Sequence, residues 1–217
     1  MAKNVILDND LFVILAGANL LESWLEVCGV PHENVFVLPA LSRILQRGKG
    51  GLCRSHCSNV IELAKAQVGK YKTLPVVDND KLAYFENIPD VDIGEQQIFA
   101  HVISEDFIFA GTNDKKSIRA VCNHLPASAI LGQKIVCLEQ CICSLIQSLG
   151  WSKVNAAITK LIAIERSEGK RIDNRLLCLF SETTPSEMHT KDALESFLTP
   201  LAKECAAVLY PEWMQLF

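Results

Sequence analysis

The stretch that most constrains the fold of this chain is residues 92–120, where a helix start, a short strand and a second helix start follow one another. Asp92 and Glu95, three residues apart, have the arrangement of a capping box, and apolar residues then recur at helical spacing. The next apolar run, 107–110, is short and rich in strand formers, as a buried parallel strand would be. It ends in a Gly-Thr-Asn-Asp sequence, after which Lys115 to Val121 is predicted to be helical. These 29 residues therefore predict a helix–strand–helix unit of an α/β protein.

A second acidic cluster follows the first predicted strand. Residues 4–7 form a short apolar run that ends at Asp8 and Asp10, and Asp114 follows the later strand in the same way. In open parallel sheets, ligands bind in the crevice beyond the carboxyl ends of the strands. Oxygen ligands there would suit Mg²⁺ or Mn²⁺. The alternative is that each acid is an ordinary helix cap or a solvated loop residue.

These motifs resemble those of the PIN-domain nucleases of bacterial type, which include the toxin ribonucleases of toxin–antitoxin pairs. The resemblance covers roughly residues 4–125 and rests on the order and spacing of three short motifs. They are an Asp after the first strand, Asp-x-Gly-Glu at the start of a later helix, and a strand that ends in Thr-Asn-Asp. It implies a three-layer α/β/α domain with a central parallel sheet over 1–149. A mostly helical C-terminal extension, 150–217, is expected to pack on that domain.

The resemblance also implies an activity, namely metal-dependent hydrolysis of RNA phosphodiester bonds by an endoribonuclease with Mg²⁺ or Mn²⁺ as cofactor. The expected catalytic residues are Asp8, Glu95 and Asp114. The expected metal ligands are Asp8, Asp92, Glu95 and Asp114. The expected substrate-binding residues are Thr112, Asn113, Arg119 and Lys49. Of these, Lys49 lies in a glycine-rich basic loop, 47–54, that could contact an RNA backbone or could be a plain solvated turn.

One departure from the family pattern motivates a second hypothesis. The helix after the second strand usually carries a further glutamate, whereas the corresponding segment here, Pro39 to Gln46, contains no acid. Asp10 or Glu86 could replace it. The alternative function is a catalytically inactive PIN-like module that binds protein or RNA. A third hypothesis is a phosphohydrolase or receiver-like protein that uses the first acidic pair.

Other classes of site receive less support from the sequence. A zinc site could combine one cluster of Cys and His side chains with a second cluster of cysteines, namely Cys53, His56 and Cys57 with Cys137, Cys141 and Cys143. These groups lie in apolar, helix-like surroundings and lack the paired knuckles of structural zinc sites. The chain has no phosphate-binding loop, no Gly-x-Ser-x-Gly elbow and no Gly-x-Gly-x-x-Gly after its first strand.

Composition limits the partners. The net charge of −4 gives no overall basic field for nucleic acid, so RNA binding would need a local basic patch. No apolar run is long enough to span a bilayer and the N-terminus has no signal-peptide pattern, which predicts a cytoplasmic location, no membrane partner and reduced cysteines. The expected partners are RNA, an antitoxin-like protein and a second copy of the chain in a homo-oligomer.

Three further segments complete the sequence-based prediction. Residues 11–27 are predicted to form one helix that ends at Gly29. Thr190 is predicted to cap a helix over 191–208. The apolar end, 209–217, is expected to dock on the core or on a partner.

Overall fold

The computed structural model describes residues 4–104, 106–170, 172–180 and 186–211. These residues contain one sheet of five parallel strands in the order β3-β2-β1-β4-β5. The strands are β1 (Asn4–Leu7), β2 (Val35–Val37), β3 (Lys72–Thr73), β4 (Phe107–Thr112) and β5 (Ile135–Cys137). The predicted three-layer α/β/α class with a helical C-terminal part is confirmed.

Thirteen α-helices and a short 3₁₀ turn, His32–Asn34, connect and cover these strands in the described part of the chain. The helices are α1 (Asn9–Gly17), α2 (Leu21–Val27), α3 (Pro39–Arg47), α4 (Gly51–Ser55), α5 (Ser58–Val68), α6 (Asn79–Leu82), α7 (Ile93–Val102), α8 (Lys115–Asn123), α9 (Leu125–Leu131), α10 (Leu138–Leu149), α11 (Trp151–Ser167), α12 (Asn174–Leu179) and α13 (Glu187–Cys205). Parallel strands need such crossovers because a tight turn cannot join them.

The central strands β1 and β4 are apolar except for Asn4 at the start of β1 and Thr112 at the end of β4, because helices cover both faces of the sheet. Helix α7 packs on both strands, and α1 packs on β4 and on α5. Gly111 allows the closest approach, since a Cβ atom there would lie 2.7 Å from Leu11 Cδ2 and 3.0 Å from Leu7 Cδ2. This tight packing brings the ends of β1 and β4 side by side.

The C-terminal extension packs against the sheet domain and adds to the edge of its sheet. Helix α11 contacts α10 and α5, and α13 contacts α8 and α10. Leu209 forms a parallel bridge with Ile135, and the backbone N–H of Tyr210 donates to the Ile135 carbonyl at 2.7 Å. Of the apolar terminal segment, 212–217 lie outside the described residues.

Two local predictions are wrong. The helix predicted over 11–27 is interrupted between α1 and α2, where Asn19 has a φ of 57°. Thr190 is not a cap: Ser186 accepts from the backbone N–H of His189 and caps α13, while Thr190 is buried one turn inside the helix. None of the helices in the described ranges is both long and apolar enough to cross a membrane.

Candidate active site

A cavity of about 910 Å³ opens at the carboxyl ends of the central strands. Asp8 comes directly after β1, and Asp114 follows β4 by two residues. Asp92 and Glu95, at the start of α7, also line the cavity. The four side chains predicted as metal ligands, which lie as much as 106 residues apart in the sequence, therefore line one cavity.

Asp8 is held rigidly at the base of this cavity. Its Oδ1 atom accepts from the backbone N–H of Leu11 at 2.7 Å, which caps α1. Its Oδ2 atom accepts from the Thr112 hydroxyl at 2.6 Å and from the backbone N–H of Asn113 at 3.0 Å. Burial raises the pKa of Asp8 to about 6 because it outweighs these hydrogen bonds. Thr112 and Asn113, predicted to bind substrate, therefore both donate to Asp8; Thr112 is fully buried, whereas Asn113 lines the cavity.

Glu95 is the second buried acid of the cavity. The predicted capping box is present: Asp92 Oδ1 accepts from the Glu95 N–H at 2.9 Å, and Glu95 Oε2 accepts from the Asp92 N–H at 2.9 Å. Burial raises the pKa of Glu95 to about 7, and the nearby negative charge of Asp114 adds to the rise. Asp114 is exposed and caps α8, where its Oδ1 atom accepts from the N–H groups of Lys116 at 2.7 Å and Ser117 at 3.2 Å.

Three cations line the same cavity: Lys115, Lys116 and Arg175. Lys116 is exposed at the first turn of α8. Lys115 and Arg175 both lie in ion-pair contact with Glu139, which is only 1% exposed, although Lys115 Nζ and the Glu139 oxygens are not aligned as in a hydrogen bond. Arg175 also donates to Asn113 Oδ1 at 2.9 Å and is paired with Asp173. Because Arg175 belongs to α12, the C-terminal extension supplies part of the site.

Asp10 and Asp173 add two further carboxylates, which both accept from the side-chain amide of Asn113, at 3.0 and 3.3 Å. Asp10 is also bonded to His56, so its pKa lies below its ordinary value although burial alone would raise it. Arg175 likewise outweighs the effect of burial and lowers the pKa of Asp173 to about 2. Both acids are therefore ionised and already partnered at neutral pH.

Two residues predicted to bind substrate lie elsewhere on the described surface. Arg119 faces α13 and pairs with Glu204, with Nε 2.6 Å from Oε2. Lys49 is exposed in the turn between α3 and α4, and neither side chain is among the described residues that line the cavity. Glu86, a suggested replacement for the missing helix acid, is also exposed and outside that lining.

Sequence analysis missed three residues that the structure brings to this edge, Glu139, Asp173 and Arg175. Glu139 follows the apolar strand β5 by two residues, and this position could have been noticed as a third acid near a strand end. Asp173 and Arg175 lie in a charged segment that has no motif, so only the docking of α12 reveals them.

The proposed zinc ligands are not assembled. Among the residues placed by the structure, no group of three or more His, Cys, Asp or Glu side chains is arranged to hold a metal ion, and this applies equally to the four acids predicted as metal ligands in the cavity. His56 is instead bonded to two carboxylates. Cys137, Cys141 and Cys143 are buried free thiols in and next to α10, and burial raises the pKa of each.

Comparisons with protein-family models, with curated proteins and with solved structures find no match to this chain.

Proposed function

We propose that this chain is a metal-dependent nuclease that hydrolyses RNA phosphodiester bonds. The observation that carries the proposal is the meeting of Asp8, Glu95 and Asp114 in one cavity at the carboxyl edge of the parallel sheet, with Lys116 and Arg175 in its wall. Carboxylates supply ligands for a hard cation, and the two basic side chains supply contacts for phosphate. RNA as the substrate follows from the resemblance to PIN-domain nucleases.

The donor set fits Mg²⁺ or Mn²⁺ held by few protein ligands. Such ions are commonly bound through one or two carboxylates, with waters and substrate phosphates as the other ligands. Asp114 is close enough to Glu95 for its negative charge to raise the pKa of Glu95. The two carboxylates therefore attract a cation. Asp8 lies at the base of the same cavity, where its oxygens already accept three hydrogen bonds, so Glu95 and Asp114 are the two proposed protein ligands. A bound cation would neutralise charge on the phosphodiester and activate water for attack.

The residues of the chain have distinct roles in this reaction. Lys116, at the N-terminus of α8, and Arg175 bind and orient the phosphate, where the helix dipole also favours negative charge. Glu95 accepts a proton from the attacking water, since a base whose pKa is close to 7 is effective near neutral pH. Asp8 keeps the ends of β1 and β4 in register through Thr112 and Asn113.

The test is cleavage of a labelled single-stranded RNA with Mn²⁺, with single-stranded DNA of the same sequence in parallel. We expect Asp8→Asn and Asp114→Asn to reduce cleavage by about 100-fold or more, because each removes charge that the transition state requires. The matched control is Asp192→Asn, which changes an exposed aspartate on α13 and should leave the rate unchanged. Absence of cleavage by the parent protein, with no rise in its melting temperature on addition of Mn²⁺, contradicts the proposal.

One observation favours the second candidate, an inactive PIN-like module that binds RNA or a protein such as an antitoxin. Helix α3 brings no acid to the cavity, and the rim next to Asp92 carries Ile93, whose side chain is 73% exposed. An apolar side chain beside a charged cavity suits a protein contact. RNA binding by gel shift without cleavage, unchanged in Asp8→Asn, would support this candidate.

A further inference from the structure

A second cavity, of about 410 Å³, lies beside the first and is lined in part by His56. Asp10, Asp173 and Arg175 line both cavities, so these three side chains form the partition between them. The second cavity is walled mainly by the C-terminal extension and by α1 and α4, and its apolar side chains come from Ile14, Leu161, Ile172 and Leu176. His56 therefore lies next to the acidic cavity, on the other side of Asp10.

The His56 ring is held in place by Glu165, which contacts the ring nitrogen that faces away from Asp10. Its Nδ1 atom lies 2.8 Å from Oε1 of Glu165, a residue of α11 that is 4% exposed. The other carboxylate oxygen of Glu165 accepts from the backbone N–H of Cys57 at 2.8 Å. Because both oxygens are occupied, the carboxylate cannot rotate, and the Nδ1–H···Oε1 bond holds one orientation of the ring.

The other ring nitrogen is held less tightly. His56 Nε2 lies 3.3 Å from Oδ1 of Asp10, a longer contact than that on Nδ1, and the Asp10 side chain is 48% exposed. A buried carboxylate behind an imidazole is the arrangement in which histidine serves as a general acid or base, and here the second nitrogen contacts Asp10 at the partition between the two cavities. The charged groups that face His56 are Asp10 from α1, Glu165 from α11 and, across the cavity, Asp173, which caps α12, and Arg175 from α12.

We propose that His56 is the general acid of the nuclease reaction and that Glu165 is its positioning residue. This inference rests on the proposed nuclease function. Water attacks phosphorus and forms the new P–O bond, while Glu95 takes the proton of that water. The bond from phosphorus to the ribose oxygen breaks, its electron pair stays on that oxygen, and the oxygen takes the Nε2 proton of His56. Solvent in the second cavity then returns a proton to Nε2.

The protonation state of His56 agrees with this role. Burial alone would lower its pKa, but the hydrogen bonds and charges of Asp10 and Glu165 outweigh burial and raise the pKa to about 9. His56 is therefore an imidazolium at neutral pH and can give up a proton. A purely structural role for these contacts, the attachment of α11 to the sheet domain, predicts equal losses on any two substrates.

The experiment compares two substrates that differ in the leaving group. Labelled RNA expels a ribose oxygen that needs a proton, whereas bis(p-nitrophenyl) phosphate expels a nitrophenolate that is stable without one. With Mn²⁺ present, we expect His56→Gln to reduce RNA cleavage by about 100-fold or more and hydrolysis of the nitrophenyl ester by less than about threefold. Equal losses on both substrates, or no loss on RNA, would overturn the assignment of His56.

A second variant keeps the proposal testable if His56→Gln is poorly folded. Glu165→Gln keeps the size of the side chain and a hydrogen-bond acceptor but removes the charge, so the pKa of His56 should fall. We expect RNA cleavage by the parent to decline as pH rises through about 9, and this limb of the pH–rate profile should move to lower pH in Glu165→Gln. An unmoved limb would contradict the positioning role. If the parent protein cleaves neither substrate, the nuclease function itself fails, and with it this inference.

Discussion

Neutralising Glu95 should stabilise the protein at alkaline pH, because the folded chain holds this carboxylate in a site that disfavours its charge. Glu95 is 8% exposed, and burial together with Asp114 raises its pKa from 4.5 to about 7. A rise of this size corresponds to about 3 kcal/mol between the two protonation states, at about 1.4 kcal/mol for each pH unit. Relaxation and water entry lower the measured value, so we expect Glu95→Gln to add about 1–3 kcal/mol at pH 8 without divalent cations.

The sign of this effect follows from proton binding. Between pH 4.5 and about 7 the folded protein binds more protons at Glu95 than the unfolded chain does, so the wild-type protein loses stability as pH rises through this window. The glutamine variant lacks this loss and keeps an acceptor for the Asp92 N–H. Its advantage should therefore grow from near zero at pH 4.5 to its full value above pH 7.

The assay is urea or thermal unfolding in buffer that contains a chelator, measured every half pH unit from pH 4.5 to pH 8.5. For a chain of this length, each kcal/mol corresponds to about 2–4 °C in melting temperature. The matched control is Glu62→Gln, at an exposed position on α5, which should change stability by less than about 0.5 kcal/mol at every pH. A Glu95→Gln variant that is less stable than the parent at pH 8, or whose advantage does not depend on pH, would refute the reasoning. Added Mn²⁺ should favour the parent over the variant.

Two further substitutions test the packing and the helix start that shape the site. Gly111→Ala places a methyl group 2.7 Å from Leu11 Cδ2 and should cost about 1–3 kcal/mol in urea unfolding; an unchanged midpoint would show that Leu11 can move aside. Asp92→Ala removes the side-chain acceptor that caps α7 but keeps the backbone N–H that donates to Glu95, and it should cost about 1 kcal/mol; a smaller loss than that of a surface control would contradict the capping role. A third substitution, Glu139→Gln, leaves Lys115 and Arg175 without their buried counter-charge and should cost about 3 kcal/mol or more, measured by the same unfolding.

Local sequence determined the elements that carry the predicted acids. The Asp92–Glu95 capping box, the apolar run of β4 and the Pro39 start of α3 are each specified within a few neighbouring residues, and each appears as predicted. Parallel pairing also follows from the sequence, because short apolar strands separated by helices can form only such a sheet. The ends of β1 and β4 therefore lie at one edge, which is why three distant acids could be predicted to meet.

Where the sequence-based predictions were wrong, tertiary packing outweighed local preference. The break at Asn19 lies within a stretch whose apolar pattern continues on both sides, so periodicity gave no sign of it. At the start of α13, the cap is Ser186, four residues before the predicted Thr190. The structure buries Thr190, whose hydroxyl donates to the Leu179 carbonyl at 2.8 Å and accepts from Trp151, and leaves the cap to Ser186.

The partners of the acids were decided only by the tertiary structure. Nothing near Asp10 in the sequence indicates His56, and nothing near His56 indicates Glu165, which lies 109 residues further along the chain. Arg175 reaches the sheet edge only because α12 docks there. Burial and charge set the pKa of Asp8, Glu95 and His56, and both depend on neighbours that the fold brings from distant segments. The sequence thus determined which edge of the sheet carries the carboxylates, and the fold decided which of them are buried and which are partnered, because solvation and Coulomb forces act through space and not along the chain.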